Sequence, residues 1–173
     1  MPSMRIQMME IRRGLDRADL SASPSDLHLL ADWFRRDVAL VAKITQLPGG
    51  WALGMTIRTL VHRSCDRCLG EVELPVEIED RCVVLEYGSG VADEEEDRLI
   101  LVAPEQEWVE LDQVVRDALR LSQPEYFVCR EDCAGLCPQC GSNMNEGDCG
   151  CRPLAPDSPL QALARLKRPN RSQ

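Results

Sequence analysis

Nine cysteines stand in this 173-residue chain, and six of them fall between residues 129 and 151. The run reads Cys129-x3-Cys133-x3-Cys137-Pro-Gln-Cys140-Gly, then Cys149-Gly-Cys151 after a loop of eight residues. Two thiolates separated by two residues can share one zinc ion at about 2.3 Å, and a glycine just after them lets the backbone turn its amides toward the sulfurs. A structural zinc site closes with four ligands. Cys137, Cys140, Cys149 and Cys151 can supply all four from one short loop, and they are the expected metal site.

Cys65-Asp66-Arg67-Cys68 is a second C-x-x-C, and one pair cannot close a four-ligand site. Cys129 and Cys133 are left over from the first assignment. They could complete a second, remote site with Cys65 and Cys68, which leaves Cys82 at an inward strand position as a plain core residue. The alternative is a single site, with Cys65 and Cys68 as reduced structural thiols. His62, three residues before Cys65, is a further conceivable ligand, although a strand-end histidine is more often surface or packed. A thiol–disulfide reading of Cys137-x-x-Cys140 calls for a helix start after a strand. This pair lies among turn residues instead, so the oxidoreductase reading ranks last. A site of four thiolates leaves no position open for water, which favours a structural metal over a catalytic one.

The rest of the chain offers little other chemistry. No phosphate-binding glycine loop, serine nucleophile elbow or paired-histidine zinc-protease motif occurs, so no enzyme and no small-molecule substrate are expected. Net charge is −9, which excludes a uniformly basic nucleic-acid binder. The charge is uneven, however. Residues 93–97 are all acidic, whereas Arg165, Lys167, Arg168 and Arg171 make the tail basic. No apolar run approaches the roughly 20 residues needed to cross a bilayer, and the first residues lack the apolar core of a secretory signal. A cytoplasmic protein is expected, where thiols stay reduced and available to metal.

Elements must hold these cysteines in place. Alternation of Met4, Ile6 and Met8 predicts a first strand over 4–8, followed by a polar stretch over 12–23. Ser25 or Asp26 would cap a helix running through residue 35, with Leu27, Leu30, Ala31 and Phe34 on one face. Residues 38–47 and 51–62 read as a hairpin around Pro48-Gly49-Gly50. Residues 65–70 turn into a strand over 71–84, with Val72, Leu74, Val76 and Ile78 inward and Glu71, Glu73, Glu77 and Glu79 outward. An acidic loop over 92–98 leads to a short strand at 99–102. Leu111, Val114, Val115, Ala118 and Leu119 mark a helix over 110–121 that Pro124 stops. Residues 160–166 could add a last helical turn or two.

The order of features resembles the YceD family, named for accumulation of large ribosomal subunit RNA. The resemblance is carried by Cys65-Asp-Arg-Cys68-Leu after a hairpin, by the acidic loop, and by Glu110-Leu-Asp-Gln-Val-Val-Arg-Asp-Ala-Leu-Arg-Leu before Pro124. The specific part is Cys133-Ala-Gly-Leu-Cys-Pro-Gln-Cys-Gly-Ser-Asn-Met-Asn145, which ends in Cys149-Gly-Cys151. It runs over roughly residues 60 to 166. It implies a bacterial or plastid protein of ribosome biogenesis, acting on or near the 23S ribosomal RNA, with no known enzymatic activity.

The expected architecture is α+β. An antiparallel, barrel-like sheet with two or three helices fills residues 1–124, a Cys-rich zinc module 125–157, and a basic tail 158–173. The expected function is that of a non-catalytic ribosome-assembly factor. It would contact 23S rRNA or a large-subunit ribosomal protein through Arg63, Arg67, Arg165, Lys167, Arg168 and Arg171. The second reading is a zinc-dependent protein-interaction adaptor without RNA contact, whose acidic total suits a basic ribosomal protein.

Overall fold

A computed structural model describes residues 3–88 and 98–151. The long hairpin is its spine. Val38–Leu47 (β3) and Gly50–Ser64 (β4) pair antiparallel across Pro48-Gly49, where Gly49 has φ +76°. Proline presets the first turn position and glycine accepts the positive φ of the second. Gly50 is required for a different reason: a Cβ there would run into the carbonyl oxygen of Val84 on the next strand.

β4 then pairs along its whole length with Glu71–Glu86 (β5), leaving the turn at 65–70 to carry Cys65 and Cys68. Arg17–Ala22 (β2) adds to β3, and Arg98–Val102 (β6) adds to β5, so the sheet order is β2-β3-β4-β5-β6. Two expectations are corrected here. The sheet is open, with β2 and β6 as its edges, so it is not barrel-like. It is also not wholly antiparallel, because β6 runs parallel to β5.

A second layer covers the inward face. Arg5–Gln7 (β1) pairs with Trp108–Glu110 (β7), and Met8–Arg12 (α1) and Asp112–Leu121 (α2) continue from these strands. Met4, Ile6, Met8, Val109, Leu111, Val115 and Leu119 join Val38, Leu40, Leu53, Met55 and Ile57 in one buried cluster. Its anchor is polar. The Asp112 carboxylate accepts the backbone N–H groups of Ser3 at 2.9 Å and Met4 at 2.7 Å, tying the first strand to the start of α2, where a negative charge is favoured.

The expected helix over 25–35 is absent. Ser23 Oγ donates to Asp26 Oδ2 and accepts the Asp26 N–H. His28 sits at φ +51°, which ends any right-handed run. Residues 24–28 and 31–33 form turns in place of a helix. Leu27 and Phe34 are still buried, while Leu30 is 59% exposed. The expected first strand is shorter than 4–8, because Met8 already begins α1, though its three apolar residues are all inward as expected. β2 lies in the stretch read only as polar. On β5, Leu74 is 40% exposed instead of inward, and burial becomes complete only at Cys82, Val83, Val84 and Leu85. The acidic run, the tail and the segment 160–166 lie outside the described residues.

Candidate metal centres

Two turns of the same construction carry the C-x-x-C pairs. In the first, Leu69 N–H donates to Cys65 O at 2.9 Å and Cys65 N–H to Gly70 O at 2.9 Å. In the second, Gly141 N–H donates to Cys137 O at 2.9 Å and Cys137 N–H to Ser142 O at 2.8 Å. Each turn needs a left-handed residue just after its second cysteine. Gly141 meets this at φ +74°, whereas Leu69 adopts φ +58° with a side chain in place. Glycine marked the second knuckle in the sequence, and its absence left the first less visible.

Cys65 and Cys68 meet Cys129 and Cys133, and Cys137 and Cys140 meet Cys149 and Cys151. In each set all four sulfurs lie within 4.8 Å of one another. In the first set, Cys65 Sγ is 3.8 Å from Cys133 Sγ, and Cys68 Sγ is 3.8 Å from Cys129 Sγ. A tetrahedron with ligands at about 2.3 Å has edges of about 3.8 Å, so the donor set suits a zinc-sized ion with soft ligands. Both sets could hold a metal ion. Cys65, Cys68 and Cys133 are buried, with Val128 and Leu136 packed against them. The second set is more open: Cys137 is buried, Cys149 and Cys151 are half-buried, and Cys140 is exposed.

The residues between Cys65 and Cys68 bind the two halves of the first set together. Asp66 N–H donates to Phe127 O at 2.8 Å, and the Asp66 carboxylate accepts Phe127 N–H at 2.6 Å. The Arg67 guanidinium reaches Tyr126 Oη at 3.0 Å, Glu131 O at 3.3 Å and Cys133 O at 3.2 Å. Arg67 N–H points to Cys65 Sγ at 3.4 Å. Arg63 stacks over Trp33 at 4.1 Å and lies 5.6 Å from the Phe127 ring. Of the six expected basic contact residues, these two are therefore engaged with the protein's own groups, and Arg165, Lys167, Arg168 and Arg171 lie outside the described residues. His62 belongs to neither set and lies 3.3 Å from the Glu71 carboxylate. Cys82 is buried in the sheet core.

The thiols of each set are electrostatically unequal without a metal. Burial acts to raise Cys65, but the backbone amides of Cys129, Cys68 and Arg67 outweigh it and bring the thiol to about 6. Cys129 is pushed to about 12 by burial and then by its thiol neighbours Cys133, Cys68 and Cys65. Cys133 is lowered, first by the side-chain amide of Asn145. In the second set, Cys140 lies 3.2 Å from Ser142 Oγ, and that hydroxyl leads in lowering it to about 6. Cys151 rises to about 12, first through Cys140 and then Cys149. Each cluster thus favours a thiolate before a cation arrives.

Asp66 and Asn145 were not singled out from the sequence as parts of a site, and only the resemblance marked them, since both fall inside its quoted motifs. Arg67 was expected as an RNA or partner contact; its clamp on residues 126–133 was not. Cysteine spacing alone carries no sign of the residues that aim the sulfurs.

These features define a class: an open-sheet protein with two four-cysteine clusters, each able to hold a metal ion, among residues 65–68 and 129–151. The chain matches the family described as "Large ribosomal RNA subunit accumulation protein YceD" over residues 53–167 and belongs to that family. Proteins described as uncharacterized in Mycobacterium bovis and in two strains of Mycobacterium tuberculosis are each 40% identical to it over 79 residues. That segment is 44% of this chain and 37% of each relative, so the match spans little more than a third of their length. No solved structure matches the chain. Among the described residues, no helix is long and apolar enough to cross a membrane.

Proposed function

We propose that this chain is a non-catalytic ribosome-biogenesis factor that supports accumulation of the large-subunit (23S) ribosomal RNA in the cytoplasm. Two zinc ions would hold its C-terminal module, one on Cys65, Cys68, Cys129 and Cys133 and one on Cys137, Cys140, Cys149 and Cys151. The observation that carries this reading is the family match, which contains all eight of these cysteines. Four thiols converge in each set, so a bound zinc would have no open position for water and would supply cross-linking instead of Lewis-acid chemistry. The chain's own residues do the positioning. Asp66 and Arg67 draw residues 126–133 onto the turn between β4 and β5, and the first set closes there.

A second reading is a zinc-held adaptor that binds a large-subunit ribosomal protein and makes no RNA contact. The engagement of Arg63 and Arg67 by Trp33, Phe127, Tyr126 and Cys133 favours it. One experiment separates the two. Purified protein is sedimented with large-subunit precursors, and then tested against protein-free 23S fragments over a salt series. Salt-dependent RNA binding supports the first reading; binding to precursors but not to RNA supports the second. Failure to co-sediment, together with an unchanged 23S level when the chain is depleted, overturns both. Metal analysis should give two zinc ions per chain.

A further inference from the structure

Asn145 belongs by sequence to the second cysteine set, between Cys140 and Cys149, and by contact to the first. Its Oδ1 accepts Ala134 N–H at 2.9 Å and Arg130 Nη2 at 2.7 Å. Both partners can only donate, which fixes the oxygen end of the amide. Nδ2 must then face the other way, and it does, toward Cys133 Sγ at 3.4 Å and Asn143 Oδ1 at 2.8 Å.

The position of this amide depends on the second knuckle. Asn143 pairs with Leu136 in an isolated bridge, and Asn143 Oδ1 accepts Asn145 N–H at 3.0 Å. Met144 N–H donates to Gly135 O at 2.9 Å, and Cys137 N–H to Ser142 O at 2.8 Å. The hairpin that presents Asn145 is therefore the one that carries Cys137 and Cys140. The ligands of the second set come from one short loop and can close on their own. The first set joins cysteines 61 and 68 residues apart in sequence.

We propose that Asn145 couples the two metal centres, orienting Cys133 as a ligand of the first set only when the second set has ordered its hairpin. Asn145 is a positioning residue, and the proposal rests on the zinc reading above. Outer-sphere donors to metal ligands orient them and tune affinity, and their loss weakens binding by about 10–100-fold. Coupling of this kind is reciprocal: each loaded centre raises the affinity of the other by the same factor.

The test uses the full chain loaded with zinc or cadmium-113. Affinities are read by chelator competition, and the two centres are resolved by their cadmium resonances. Asn145→Ala should weaken the first set by about 10–100-fold and shift its resonance. Asn145→Asp keeps an oxygen for Ala134 and Arg130 but has no N–H for sulfur, so it should weaken the first set at least as much. Cys140→Ser, which cripples the second set, should weaken the first, and adding Asn145→Ala to it should cost little more. In a chain whose first set is removed by Cys65→Ser and Cys68→Ser, Asn145→Ala should leave the second set unchanged. First-set affinity within about two-fold of the parent in both Asn145 variants would overturn the coupling, as would simple multiplication of the Asn145→Ala and Cys140→Ser effects. A chain that takes up no metal would overturn the zinc reading, and the coupling with it.

Discussion

Replacing Asp66 with alanine removes one acceptor and should be felt at a metal it never touches. The Asp66 carboxylate accepts Phe127 N–H at 2.6 Å, a short, charge-assisted bond. It is one of two bonds between these residues, and Cys129 and Cys133 follow directly on the same segment. Such a bond contributes about 1.5–3 kcal/mol when shielded. Asp66 is exposed, so solvent trims this to about 1–2 kcal/mol. At about 1.4 kcal/mol per decade, the first set should bind zinc roughly 5–30-fold more weakly. Asp66→Asn keeps a neutral acceptor and should lose roughly half as much free energy. Chelator competition on the purified chain reads the change. Measured while the first set is kept loaded, so that any coupling between the centres is unchanged, the second set, which Asp66 does not contact, should hold its affinity to within about two-fold. First-set affinity unchanged in Asp66→Ala, or an equal loss at both sets, would refute the idea that this contact closes the first centre.

Other outcomes follow from the same geometry. Asp112→Ala leaves the N–H groups of Ser3 and Met4 without their acceptor beneath a buried Met4; urea unfolding should show a loss of about 3 kcal/mol or more with little change in slope. Gly135 and Gly141 share φ near +74° (73 and 74), but a Cβ on Gly135 would meet Arg67 O at 3.2 Å, while Gly141 faces open space. Gly141→Ala should therefore cost about 1 kcal/mol and Gly135→Ala about 2, measured at fixed zinc concentration. In the metal-free protein, exposed Cys140, held at about 6 mainly by Ser142, should be the first ligand thiol alkylated at neutral pH, with a rate that climbs through pH 6 and then levels. The folded value lies below the unfolded thiol's, about 8.5. Its contribution to stability is thus present above pH 8.5 and lost as pH falls toward 6. Peptide mapping that finds another ligand modified first would contradict this.

Much of the sheet was legible because its signals are local. Alternation through β3 and β4 and the Pro48-Gly49 turn define the long hairpin, and the spacing of Val114, Val115, Ala118 and Leu119 defines α2. The open edges were not legible. Whether β2 meets β6 depends on twist and on strand order, and β6 joins in parallel through a crossover that no nearby residue announces. The turns at 24–28 and 31–33 depart from the expected helix for a related reason. Their apolar spacing suits a helix, but Ser23 and Asp26 satisfy the backbone and each other locally, and burial of Phe34 against Val61 is a tertiary gain.

The cysteines divide along the same line. Spacing alone groups the four cysteines of the second set, since all four lie in one loop whose glycines permit its turns. The first set was only arithmetic in the sequence: Cys65 and Cys68 needed partners, and Cys129 and Cys133 were spare. Tertiary structure decides that they meet, because the β4–β5 turn and the segment after α2 are brought together by Asp66, Arg67 and Phe127. It also decides what surrounds the sulfurs. Asn145 reaches Cys133 across twelve residues of chain, and an amide–sulfur contact of that kind has no signature in composition or spacing, only in the folded geometry.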